Sequence, residues 1–62
     1  MIISYTYKKF SIEYNSLTGT TIIYDIGLVI KKIEQLGYQK GEKKAKEYID
    51  WLLENLDKGE NL

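Results

Sequence analysis

Residues 20–38, Thr-Thr-Ile-Ile-Tyr-Asp-Ile-Gly-Leu-Val-Ile-Lys-Lys-Ile-Glu-Gln-Leu-Gly-Tyr, decide the fold, because the apolar spacing changes within them. Thr20 to Tyr24 is rich in Thr and Ile and reads as a strand. Asp25 suits a helix N-cap, where its carboxylate accepts free backbone N–H groups. Ile26, Val29, Ile30 and Ile33 then fall on one helical face, with Leu36 at its edge. Gly37 followed by Tyr38 reads as a helix stop, the glycine left-handed and the tyrosine folding back on the last turn. The spacing predicts a first helix between Asp25 and Gly37.

Upstream of this stretch the chain alternates. Ile3, Tyr5 and Tyr7 share one phase, and Phe10, Ile12 and Tyr14 share another, with the slip at Lys8-Lys9. A two-residue turn there pairs Tyr7 with Phe10, Tyr5 with Ile12 and Ile3 with Tyr14, all on one side. A bulge or a looser bend is the rival reading, since Lys-Lys lacks the Gly or Asn such turns prefer. Residues 15–19, Asn-Ser-Leu-Thr-Gly, read as a turn closed by a left-handed Gly19. Downstream, Gly41 opens a second helix whose apolar stripe is Ala45, Ile49, Leu52 and Leu56, flanked by Tyr48 and Leu53. Lys58-Gly59 ends it. The fold expected is α+β: a small antiparallel meander of two or three strands, then two packed amphipathic helices, in the order βββαα. Ile30, Ile33, Ile49, Leu52 and Leu56 are the expected core. One domain spans 1–58, and 59–62 form a frayed tail.

Composition narrows the function. Among the 62 residues there is no His, Cys, Arg or Pro, and the net charge is zero. Imidazole bases, thiolate nucleophiles and the usual zinc ligands are therefore missing. So is the bidentate guanidinium clamp for phosphate and guanine. No Gly-rich phosphate loop is present. No catalytic set, metal or cofactor is expected, and the chain reads as a non-enzyme. A domain of this size buries only ~60% of the surface its unfolded chain exposes, and without disulfides or zinc that leaves a compact core, self-association, or both as its sources of stability. No apolar run approaches a membrane span and no signal-peptide pattern opens the chain, which suggests a cytoplasmic protein. Lys wholly replaces Arg, and Ile, Tyr and Asn are frequent, as AT-rich coding would give; that hints at a low-GC bacterium, its phages or its plasmids.

Four features exceed what a plain core needs. Trp51 sits roughly 120° from the stripe of its helix, beside Lys44, Asn55 and Lys58, and Trp is a preferred interface anchor. Large aromatics also commonly cover intramolecular surface, which is the rival reading. Glu47, Asp50, Glu54 and Asp57 line the outer face of the same helix at spacings of three and four. They would supply an acidic stripe for docking on a basic surface, in the manner of a nucleic-acid mimic; the plainer reading is a solvated face. Leu28, opposite Ile26 and Ile30 on the first helix, is a candidate for self-association. Tyr5, Tyr7, Lys8 and Lys9 in the hairpin are candidates for stacking nucleic-acid bases, although alternating aromatics on a sheet are usually core.

Strand Thr20–Tyr24, the first helix, the Gly37-Tyr38 stop and the second helix together resemble the order of a ribbon-helix-helix DNA-binding protein. The resemblance implies a dimer whose strand pairs with its copy and enters the major groove. In this chain that strand carries no base, and Gly41-Glu42 stands where the family usually has a Ser or Thr. The functional expectation is a small non-catalytic binding protein, from a phage or mobile element, that occludes a larger host protein as anti-CRISPR and other anti-defence inhibitors do. The alternative is a dimeric DNA-binding regulator of ribbon-helix-helix-like organisation.

Overall fold

The computed structural model describes residues 1–59, with side chains described through Leu56. Among these residues four strands precede one helix: β1 (Ile2–Tyr7), β2 (Phe10–Asn15), β3 (Thr20–Asp25), β4 (Leu28–Ile33) and α1 (Gly37–Gly59). The strands form an antiparallel meander in the order β1-β2-β3-β4, so β1 and β4 are the edges. The chain belongs to the α+β class, with one strand more and one helix fewer than expected. The tail expected over 59–62 lies, beyond Gly59, outside the described residues.

The first hairpin has the expected register: Tyr7 opposes Phe10, Tyr5 opposes Ile12 and Ile3 opposes Tyr14. Lys8-Lys9 makes the two-residue turn, with Lys8 alone of the pair at positive φ (55°), as a type II′ turn requires. The second turn also follows its residues. Gly19 is left-handed (φ 72°) and its N–H donates to the Asn15 carbonyl at 2.8 Å. The Asn15 side-chain oxygen accepts from the Leu17 N–H at 2.9 Å, an Asx turn that fixes the corner.

The first helix does not form. Ile26-Gly27, both at positive φ (52° and 79°), instead makes the tight turn of a third hairpin. The physical reason for the misreading is a β-bulge. Ile23 opposes Lys31 while Tyr24 opposes Val29, leaving Ile30 as the extra residue. The bulge advances the side-chain phase by one, so Ile30 and Ile33 both reach the core side. Two apolar residues three apart on one face imitate a helical stripe. Gly37 is left-handed as expected (φ 78°), but it opens α1 where the sequence reading placed a stop. The strand–helix–helix order of the ribbon-helix-helix resemblance is absent. Its strand is β3, paired on both sides by β2 and β4.

α1 packs across one face of the sheet, chiefly over β3. Phe10, Ile12, Ile23, Ala45 and Ile49 form the buried core. Gly41 presses against β3: a Cβ there would collide with the Thr21 hydroxyl. Of the expected core, Ile49 is fully buried, and Ile30, Ile33 and Leu52 pack at its margin. Leu56 is 49% exposed, which corrects its assignment. A 23-residue helix is about 34 Å long and a six-residue strand only about 20 Å, so the end of α1 overhangs the sheet.

Candidate binding groove

The bulged β4 and the flank of α1 do not close on each other. Between them runs a groove of ≈ 510 Å³. Its apolar surface comes from Ile33 on β4, Leu36 in the link, and Tyr48 and Trp51 on α1. Lys31 and Lys32 border it from the strand, and Lys44 and Glu47 from the helix. The Tyr48 and Trp51 rings lie 5.9 Å apart, and the Lys31 ammonium stands 5.5 Å from the Tyr48 centroid. Trp51 remains 56% exposed. A smaller hollow continues towards the start of α1, lined by Leu36, Lys40, Lys43, Lys44 and Glu47.

Charge is unevenly spread although the total is zero. Lys8 pairs with Asp50 at 2.7 Å, Lys9 with Asp25 at 3.9 Å, Lys32 with Glu34 at 3.5 Å and Lys46 with Glu42 at 3.3 Å. Among the described residues, Lys31, Lys40, Lys43 and Lys44 have no carboxylate within ion-pair distance, and all four border the groove or its extension.

The residues singled out in the sequence are divided by the fold. Glu47 and Trp51 line the groove. Asp50 leans to the opposite flank, where it accepts hydrogen bonds from the Tyr7 hydroxyl (3.0 and 3.2 Å) and the Lys8 ammonium (2.7 Å). The hydrogen bond from Lys8, followed by that from Tyr7, holds the Asp50 carboxyl below its ordinary range. Glu54 is exposed on the outer face, and the side chain of Asp57 lies outside the described residues. Tyr5 and Tyr7 face α1 and pack against the core, so their rings are half-buried. Burial, then the nearby Glu42 and Tyr38, push the Tyr5 hydroxyl up to about 12. Lys8 and Lys9 are held by Asp50 and Asp25, with each ammonium 5.3 Å from a ring centroid, Tyr7 and Phe10 respectively. Leu28 lies on β4, not on a helix, and is 71% exposed beside Ile26 and Val29, also exposed.

The sequence reading missed Lys31, Lys32, Ile33 and Leu36 as groove residues because it placed that segment in a helix. The available signal was Gly27 between two β-branched runs, the mark of a tight hairpin. Among the described residues, no group of three His, Cys, Asp or Glu side chains could hold a metal ion. Among the same residues, no helix is long and apolar enough to cross a membrane. No known family model matches the chain, and no curated protein or solved structure is detectably similar to it.

Proposed function

We propose that this chain is a small non-catalytic binding protein that acts by occupying a surface of a larger partner, with the β4/α1 groove as its working face. The observation that carries the reading is the pair Lys31 and Lys44, without carboxylate partners among the described residues, on the two walls of the groove that holds the exposed Trp51. An exposed Trp beside a second aromatic ring is the kind of anchor that dominates binding energy at interfaces. Unpaired cations at its rim raise association rates with a partner of opposite charge. The segment that fits is an apolar side chain flanked by carboxylates.

This reverses the sign of the partner expected from the helix alone. Asp50 is taken up by Lys8 and Tyr7, and Glu47 stands among lysines, so the acidic stripe offers little continuous field. An inhibitor carried by a phage or mobile element, acting in the bacterial cytoplasm on a host defence protein, is the biological setting we propose, from the complete replacement of Arg by Lys and the frequent Ile and Tyr that AT-rich coding would give. Occlusion of that kind needs no active site.

The lone Trp provides the test. Extended peptides with one Leu or Phe flanked by Glu, and a matched Lys-flanked set, are titrated while Trp51 emission is followed. The Glu-flanked set should bind and shift emission to the blue, with affinity falling as salt rises. Preference for the Lys-flanked set, or no change with either, would overturn the reading.

A further inference from the structure

We propose that β1 pairs antiparallel with β1 of a second copy, joining two four-stranded sheets into one of eight strands. An edge strand presents unpaired N–H and C=O groups, and proteins usually guard it with charge or irregularity. β4 is guarded by its bulge and by Lys31 and Lys32. β1, Ile-Ile-Ser-Tyr-Thr-Tyr, has no charged residue and its register is unbroken from Ile2 to Tyr7. It is also incompletely roofed. α1 lies chiefly over β3, and Ile3, Tyr5 and Tyr7 remain half-buried on the helix side.

The hairpin dictates the register. A two-residue turn is closed by a hydrogen-bonded pair, here Tyr7–Phe10, so by alternation Tyr5 and Ile3 also bond inward to β2. The Ser16 N–H donating to the Met1 carbonyl at 2.9 Å continues the same odd-numbered series. Ile2, Ser4 and Thr6 therefore turn their backbone groups to the free edge. A two-fold axis through Ser4 pairs Ser4 with its copy and Ile2 with Thr6 of the other chain. It also sets Ile3 beside Tyr5 of the other chain on the helix side, extending the half-covered apolar row. Both helices then lie on the same face of the joined sheet. The contact is isologous and closes after two copies, leaving only guarded β4 edges outside.

The register makes the test specific, because the chain has no cysteine of its own. Ser4→Cys sets two sulfurs across the axis at a Cα separation of about 5.5 Å, within disulfide range. Thr6→Cys sets the Cα atoms about 14 Å apart, beyond that range. On mild oxidation Ser4→Cys should become a covalent dimer and Thr6→Cys should not. In sedimentation equilibrium the parent chain should dimerise, and Ser4→Pro should weaken the dimer at least tenfold. Proline removes only an outward N–H, and the circular dichroism of the parent is the control for folding. Ser4→Lys, which sets like charges face to face, is the second variant. A parent chain monomeric at about 1 mM, equal crosslinking of both cysteine variants, or folded Ser4→Pro and Ser4→Lys variants that dimerise like the parent would each overturn the proposal.

Discussion

Ile26 is the residue least suited to its place. A β-branched side chain at φ 52° strains against its own backbone, and at 92% exposure it gains little from burial. Asn-Gly is the preferred pair for such a turn, so Ile26→Asn should stabilise the chain by about 1 kcal/mol in urea denaturation. No gain would mean that Ile26 makes compensating contacts. Gly41 is the opposite case, a small residue used because only it fits. Replacing an exposed helical Gly with Ala gains about 1 kcal/mol in propensity. Here the added Cβ meets Thr21, and overpacking of about 1–3 kcal/mol should outweigh that gain. Gly41→Ala alone should lower stability, and adding Thr21→Ala should recover part of the loss. Tyr5 gives a pH signature. Its hydroxyl is raised from 10.0 to about 12, so its contribution is complete below pH 10 and is lost as pH rises towards 12. Tyr5→Phe should flatten that alkaline loss in pH-dependent melting, whereas an unchanged profile would show that Tyr5 does not cause it.

Among the elements, the first hairpin and the final helix were legible, and β4 was not. Period-two alternation of Ile, Tyr and Phe specifies β1 and β2, because a one-residue slip would expose the whole apolar row. Ala45, Ile49 and Leu52 mark the buried face of α1 with equal clarity. β4 was hidden by its bulge, which put Ile30 and Ile33 on the core side at a spacing that also fits a helix. Local periodicity cannot separate these cases, since the bulge depends on pairing with β3. The same gap hid half of the groove: Trp51 and Glu47 were visible on the helix, but its strand wall was not. The overhang of α1 has a direct consequence. Ile49→Ala should cost about 2–5 kcal/mol, because Ile49 is wholly enclosed. Leu56→Ala should cost less than about 1 kcal/mol. Comparable losses in chemical denaturation would mean that Leu56 is covered.

For the molecule as a whole, zero net charge conceals a division of labour. Lysines with acidic partners join elements or neighbouring residues, as Lys8 joins the first hairpin to Asp50 on α1. Among the described residues, those without a carboxylate partner border the groove beside the most exposed large aromatic side chain of α1, or its extension towards the start of that helix. Lys44→Glu should therefore slow association with a carboxylate-bearing partner and weaken its salt dependence, while Trp51→Ala should mainly speed dissociation, costing about 2 kcal/mol or more. The most direct measurement is a map of backbone amide shifts in the ¹⁵N-labelled chain as the Glu-flanked peptide is added. The largest changes are expected at Lys31, Ile33, Leu36, Lys44, Tyr48 and Trp51. Changes concentrated instead at Tyr7, Lys8 and Asp50, or on the sheet face away from α1, would contradict the assignment of the groove as the working face.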